Sequence, residues 1–124
     1  MNKLELQKRT KRFHLAIINV AEIFPKTVAG LETIKQLIRS AGSVGANYRA
    51  ACKAKSKKDF AYKLSVVMEE ADESQYWLDV TTEALLPGNP VVSGLLKEAT
   101  EIVAIFTAAE KTTRLREAPK IKEK

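Results

Sequence analysis

The sequence predicts an all-α protein, an antiparallel up-down-up-down four-helix bundle, and three observations carry that prediction. Only 5 glycines and 4 prolines interrupt 124 residues, and long stretches are rich in Ala, Leu, Glu and Lys, which favour helices. Apolar residues recur at alternating spacings of three and four in four successive segments, as on one face of a helix. Short connections join the segments, so consecutive helices are expected to be antiparallel neighbours.

The first helix is predicted over residues 4–24. Pro25 ends it, because the residue before a proline is disfavoured in helical geometry. Thr27 is a suitable N-cap for the second helix, which is predicted over residues 28–54. The apolar stripe of the first helix contains Leu6, Phe13, Ile17, Val20 and Phe24. The stripe of the second contains Leu31, Ile34, Ile38, Ala41, Gly45, Tyr48 and Cys52.

The third helix is predicted over residues 57–86. Ser56, followed three residues later by Asp59, resembles the capping box that begins many helices. Pro87 and Gly88 then break the pattern. The stripe of this helix contains Phe60, Leu64, Val67, Ala71, Ser74, Leu78, Thr81 and Leu85.

The fourth helix is predicted over residues 90–115. Asn89 is suited to cap it, and Pro90 takes the first helical position, where proline is well tolerated. We therefore expect residues 1–116 to form a single bundle domain, since a chain of this length is typical of one domain. Residues 117–124 are predicted to be a charged flexible tail.

Charge is distributed unevenly along the chain. Residues 1–64 hold 14 Lys or Arg against 4 Asp or Glu, a net charge of +10. Residues 65–110 hold 1 against 9, a net charge of −8, and residues 111–124 hold 6 against 2, a net charge of +4. This distribution predicts one basic and one acidic surface, which could also meet each other.

Seven cations are the candidate nucleic-acid-binding residues, because they share a face of the second predicted helix or crowd the turn after it. Such cations neutralise phosphates without reading sequence. Few aromatic residues lie among them, so base stacking is not predicted. An ordinary solvated face and a subunit contact remain open as alternatives. The seven residues are Lys35, Arg39, Arg49, Lys53, Lys55, Lys57 and Lys58.

Metal, cofactor and enzyme chemistry are not expected. Di-iron bundles need a Glu-x-x-His motif from each of two helices, whereas His14 is the only histidine. Cys52 falls on an apolar stripe, which favours an inert buried thiol over a nucleophile. No phosphate-binding glycine loop follows a strand. An acidic cluster without histidine partners is interpreted as a solvated or subunit-facing surface: Glu69, Glu70, Asp72 and Glu73.

A soluble cytoplasmic protein without a membrane partner is expected. No apolar run approaches the roughly 20 residues of a membrane span. The first twelve residues lack the apolar core of a signal peptide. A single cysteine excludes an intramolecular disulfide.

Residues 36–47, QLIRSAGSVGAN, combine a helical pattern with small side chains. Two glycines in a helix interior cost about 1 kcal/mol each relative to alanine, a cost that is offset where another element comes close. We favour close helix packing in the bundle core, and a shallow groove for a partner is the alternative. On this basis Gly45→Leu is expected to be badly tolerated.

Two segments, RSAGSVGANYRAA at 39–51 and SKKDFAYKLSVVMEEADESQYWLDV at 56–80, resemble the bacterial four-helix bundle proteins, also known as the 23S rRNA intervening-sequence protein family. The resemblance covers roughly residues 7–86. The family usually has a glutamate in the turn after its Asn motif, where this chain has residues 50–52, Ala-Ala-Cys. The motif residues, interpreted as structural, are Ser43, Gly45, Asn47, Phe60, Tyr76 and Trp77.

The resemblance implies an antiparallel bundle that assembles into a pentameric ring and has no enzymatic activity. It favours a non-enzymatic protein that binds RNA or ribosome-associated nucleic acid through its basic face. The alternative is a structural adaptor ring with an unknown protein partner. The opposite charges of residues 1–64 and 65–110 independently favour a head-to-tail contact, which closes into a ring when the rotation permits. Mutual neutralisation within one bundle is the competing interpretation.

Overall fold

A computed structural model of the chain describes residues 1–117, and within this range it contains four α-helices and no strand. The helices are α1 (Lys3–Val20), α2 (Val28–Cys52), α3 (Lys57–Val80) and α4 (Pro90–Glu117). The predicted all-α, four-helix architecture is confirmed. Glu117 is the last residue of α4, and the rest of the predicted tail lies outside the described residues.

The first helix ends earlier than the sequence predicts. The α-helical geometry stops at Val20, and a single 3-10 turn follows over Ala21–Ile23. Phe24 is already extended, with φ −68° and ψ 141°, because it precedes Pro25. Tighter 3-10 turns are common at helix ends, and this one places the Phe24 ring in the core, 4% exposed.

The third helix also changes geometry before its predicted end. The α-helix stops at Val80, and a π-helical turn covers Thr81–Leu85. Leu86 donates its backbone N–H to the Thr81 carbonyl at 2.9 Å, the five-residue spacing that defines the wider turn. The Gly88 that follows has φ 77°, a left-handed conformation that glycine adopts without steric cost.

The helix starts follow the predicted capping residues. Thr27 Oγ1 accepts a hydrogen bond from Gly30 N at 3.1 Å, and Ser56 Oγ accepts one from Asp59 N at 3.0 Å. Asn89 Oδ1 accepts from the first free N–H groups of α4, at 3.0 and 3.1 Å. Each cap satisfies donors that have no partner inside the helix.

The core matches the predicted stripe on α1 but is rotated on α2. Leu37 and Val44 of α2 are fully buried, although neither belongs to its predicted stripe. Leu31, which does, is 54% exposed. The helix touches both α1 and α3, so its buried surface is wider than one row of residues. All predicted stripe residues of α1 and its turn are buried: Leu6, Phe13, Ile17, Val20 and Phe24.

Contacts between helices fix which residues lie at the same height along the bundle. Ser74 of α3 donates to Ser40 of α2 at 2.9 Å in the buried core. The ring of Tyr48 on α2 packs edge-on against Phe106 of α4, with centroids 5.2 Å apart. The C-terminal part of α2 therefore lies beside the N-terminal part of α3 and the C-terminal part of α4.

This register converts the uneven charge of the sequence into a charge separation along the bundle axis. We call residues 1–12, 45–68 and 104–117 the basic half, which holds 14 Lys or Arg against 4 Asp or Glu, a net charge of +10. Residues 13–44 and 69–103 form the acidic half, which holds 4 against 10, a net charge of −6. Opposite charges thus dominate opposite ends of the molecule, rather than only opposite faces.

Candidate nucleic-acid interface

A groove of about 600 Å³ runs between α1 and α2, mostly in the basic half. We call it the basic groove. Leu4, Gln7, Lys8, Lys11 and His14 line it from α1. Gly42, Gly45, Ala46, Arg49 and Lys53 line it from α2.

Small residues of α2 form the floor of the basic groove. A Cβ atom added to Gly42 would lie 2.9 Å from Nε2 of His14, so His14 lies directly over this glycine. A Cβ atom added to Gly45 would lie 3.6 Å from Oγ1 of Thr10, an ordinary van der Waals distance. In the groove the tightest contact is therefore at Gly42, whereas a methyl group at Gly45 would be in ordinary contact with Thr10 of α1. The expected intolerance of Gly45→Leu, a larger side chain, stays a prediction.

The charge of the groove is uncompensated. Within residues 1–117, Lys8, Lys11, Arg49 and Lys53 have no carboxylate within 4.0 Å. No acidic side chain is among the described residues that line the groove. Four cations thus face one cavity, and an anion entering it would meet attraction from both helices.

Arg39 and Lys35 lie outside the basic groove. Arg39 forms ion pairs with Glu70, at 3.1 Å, and with Glu73, and its hydrogen bond to Glu73 raises the pKa of its guanidinium group. Lys35 precedes Arg49 by fourteen residues, about 21 Å along a helix, and lies in the acidic half. The predicted face of α2 therefore divides into Arg49 and Lys53, which share a cavity, and Lys35 and Arg39, which do not.

The remaining predicted cations lie at the end of the basic half. Lys55 and Lys57 line a second cavity of about 380 Å³, which we call the end pocket. Lys58 is exposed beside them at the start of α3. All three are close in sequence to Lys53 of the basic groove, so the two cavities are neighbours along the chain at this end of the bundle.

Lys8 and Lys11 line the basic groove but are not among the seven predicted cations. Both lie outside the apolar stripe of α1, and both are exposed. Their place beside Arg49 and Lys53 depends on how α1 packs on α2, which the periodicity of one helix does not show. The neighbouring Arg9 instead donates hydrogen bonds to Glu98 of α4 at 2.9 and 2.6 Å.

The motif residues Ser43 and Asn47 hydrogen-bond to each other within α2. Asn47 Nδ2 donates to the carbonyl oxygen of Ser43 at 2.9 Å and to Ser43 Oγ at 2.8 Å. Ser40 of the same stretch joins α2 to α3 through its hydrogen bond with Ser74. Ser43, Asn47 and Ser40 thus have partners within the bundle.

The aromatic motif residues lie partly at the surface. Tyr76 is 58% exposed, and its ring is 5.1 Å from that of Trp77 in an edge-on arrangement. Trp77 packs against the core and donates from Nε1 to Glu73 at 3.3 Å. Tyr76 also lines a groove of about 420 Å³ between α3 and α4 with two carboxylates, Asp72 and Asp79.

Residues 1–117 contain no group of three or more His, Cys, Asp or Glu side chains placed to hold a metal ion. Cys52 is half-buried. Burial raises the pKa of the Tyr48 hydroxyl, and the neighbouring Cys52 thiol contributes to the same shift. No helix in the described part of the chain has the length and apolar character needed to cross a membrane.

A family model described as 23S rRNA-intervening sequence protein matches residues 2–108. Among solved structures, the chain is similar to a protein of unknown function from the S23 ribosomal protein family of Bacteroides thetaiotaomicron. The two are 27% identical with a TM-score of 0.79, and the match covers 90% of this chain and 99% of the other. No curated protein matches the chain.

Proposed function

The chain belongs to the 23S rRNA-intervening sequence protein family, and from this premise we propose that it is a non-enzymatic protein that binds RNA through the basic groove. The observation that carries the proposal is the groove itself, where four cations from two helices face one cavity without a carboxylate among the described lining residues. Unpaired cations in a concave surface are the arrangement that attracts a polyanion.

Contact through phosphates, rather than through bases, fits this groove. Its described lining contains no Phe, Tyr or Trp, so the stacking platforms of sequence-tolerant single-strand binders are not part of it. From Gly42 to Lys53 it extends over eleven residues, about 16 Å at 1.5 Å per residue, enough for several consecutive phosphates. The expected binding is therefore dependent on salt and largely independent of sequence.

Assembly into a homopentameric ring is the second part of the proposal. The family resemblance supplies the number of subunits, and the charge separation supplies a physical reason for a head-to-tail contact. Asp72 and Asp79, beside the exposed Tyr76 on the α3–α4 surface, offer an acidic and aromatic counterpart to a neighbour's cations. A structural adaptor ring for an unknown protein is the alternative, and it is favoured if this contact occupies the basic groove.

A filter-binding titration over a salt series tests RNA binding. The triple variant K8Q/K11Q/K53Q removes three cations of the basic groove. Its matched control, K26Q/K35Q/K97Q, removes the same charge from exposed positions of the acidic half. Each phosphate contact contributes about 0.7 to the slope of log K against log salt for a single strand. We therefore expect the groove variant to bind about 100-fold more weakly at 0.1 M salt, if all three contacts are lost.

The control is expected to bind nearly as well as the wild type. Equal losses in the two triple variants would show that only net charge matters and that the groove has no role. No binding by the wild type at low salt would exclude RNA and favour the adaptor. Light scattering at micromolar concentration tests the ring separately, and a monomer at both low and moderate salt would exclude it.

A further inference from the structure

The end pocket lies where α1 and α3 begin and where α2 and α4 end. Ala51, Cys52 and Phe60 give it an apolar floor. Four cations surround this floor, one from each helix or its adjoining turn: Lys3, Lys55, Lys57 and Arg116.

The positive charge of the end pocket has no counterpart among the described side chains. Within residues 1–116 none of the four cations has a carboxylate within 4.0 Å, and no described lining residue is acidic. The pocket also includes Ser56 and Lys57 at the start of α3, the positive end of the dipole of a 24-residue helix.

The floor of the pocket suits a ligand with an apolar body rather than a bare inorganic anion. The ring of Phe60 is partly buried against the core, with the ammonium group of Lys3 at 5.5 Å from its centroid. A planar base or a sugar can pack on such an aromatic surface. A volume of about 380 Å³ is within the range of small-molecule sites.

The end pocket adjoins the basic groove along the chain. Lys3 of the pocket is followed in sequence by Leu4 of the groove, and Ala54 of the pocket follows Lys53 of the groove. A chain of phosphates in the groove would therefore bring one of its ends to the pocket. A terminal phosphate monoester carries a charge of about −1.5 to −2 at pH 7, more than an internal diester, and so suits a pocket with four cations.

From this geometry we infer that the end pocket binds a nucleotide through its phosphate monoester, with the base or sugar on Phe60. The nucleotide can be free, or it can be the phosphorylated end of an RNA held in the basic groove; the second case rests on the proposed function.

Calorimetric titration with adenosine monophosphate, adenosine and inorganic phosphate tests the pocket without RNA. We expect the nucleotide to bind at least 10-fold more tightly than either of the other two. The variant K55Q/K57Q is expected to weaken nucleotide binding at least 10-fold without a change in melting temperature, because both side chains are exposed. The control K26Q/K35Q, with the same loss of charge in the acidic half, is expected to bind like the wild type.

A second experiment compares one RNA sequence with a 5′ phosphate, a 3′ phosphate or hydroxyl groups at both ends. Preference for a phosphorylated end, lost in K55Q/K57Q, would support the RNA end as ligand. Binding of the mononucleotide with no preference among the RNAs, or with no RNA binding at all, would support a free nucleotide as the ligand. Whether the protein binds RNA is then decided separately, by the filter-binding titration described above. Failure to bind the mononucleotide together with no preference among RNA ends would overturn the inference.

Discussion

The two halves of the bundle use charged residues differently. In the acidic half, Arg39 is held between Glu70 and Glu73, and Glu98 receives Arg9 from the other half. In the basic half, Lys8, Arg49 and their neighbours face cavities without a carboxylate nearby among the described residues. A count of cations along a helix therefore does not identify a binding surface, because the charge of a paired cation is already compensated.

This comparison predicts that substitutions in the acidic half change stability and leave RNA affinity unchanged. Removal of an unpaired cation in the basic half is expected to lower RNA affinity and leave stability unchanged. The largest effect is expected for Gly30→Ala in the acidic half. A Cβ atom at Gly30 would lie 2.0 Å from the carbonyl oxygen of Pro25, so the turn before α2 would have to move. We expect a loss of at least about 3 kcal/mol of unfolding free energy, measured by urea denaturation.

Gly94→Ala is the control for Gly30→Ala, because nothing lies within 4 Å of the added atom. Alanine has a higher helix propensity than glycine, so this variant is expected to be more stable by about 0.5–1 kcal/mol. A stable Gly30→Ala protein would show that the Pro25 turn is less constrained than its geometry indicates.

The ion pair that joins the halves is expected to depend on pH. Hydrogen bonding from Arg9 lowers the pKa of Glu98. A lowered folded-state pKa stabilises the protein above the ordinary glutamate value of about 4.3, and this contribution is lost as the pH falls through the folded-state pKa. Glu98→Gln is therefore expected to cost about 1 kcal/mol at pH 7 and much less at pH 3.

Urea denaturation of Glu98→Gln and wild type at the two pH values measures this change. Glu69→Gln is the control, because Glu69 is exposed and has no ion pair within residues 1–117. An equal cost of Glu98→Gln at pH 3 and pH 7 would assign the loss to packing and not to charge.

Substitution of Arg49 in the basic half and of Arg39 in the acidic half, both on α2, compares the two halves most directly. Arg49→Gln is expected to lower RNA affinity about fivefold at 0.1 M salt, the effect of one lost phosphate contact, without changing the melting temperature. Arg39→Gln is expected to leave RNA affinity unchanged, since its charge is paired with Glu70 and Glu73. Filter binding measures the RNA affinity of both variants. A similar loss of affinity in the two would mean that the acidic half also contacts RNA.

The smallest expected effect is at Gly45. The added methyl group of Gly45→Ala has an ordinary contact with Thr10, at 3.6 Å, so the helix-propensity gain of about 0.5–1 kcal/mol should appear as increased stability. The same methyl group narrows the floor of the basic groove. Urea denaturation measures the gain, and a destabilised variant would restore the tight contact first expected at this position.

Periodicity predicted the helices well and their contacts less well. Leu6, Phe13 and Ile17 of α1 are in the core as expected, because a repeat of three and four marks a buried row whatever it packs against. On α2 the same rule included the exposed Leu31 and omitted Leu37. A helix that packs against two neighbours buries a broad surface, and the predicted stripe of residues covers only part of that surface.

The candidate site was only partly accessible from sequence. Arg49 and Lys53 were identified because cations four residues apart share a helix face. Lys8 and Lys11 join them only through the packing of α1 on α2, and Arg39 leaves the set only through carboxylates of α3. The constraint at Gly30 was also missed, since its cause is the carbonyl group of Pro25, which folds back over the start of α2.

The separation of +10 and −6 along the axis has a consequence before any contact forms. A molecule with such a moment rotates in the field of a polyanion, so it approaches with its basic half first. A larger fraction of collisions with the polyanion then occurs in the binding orientation, and association is faster than for randomly oriented encounters. Because salt shortens the reach of this field to about 8 Å at physiological ionic strength, the advantage should decline steeply as salt rises, in the association rate more than in the dissociation rate.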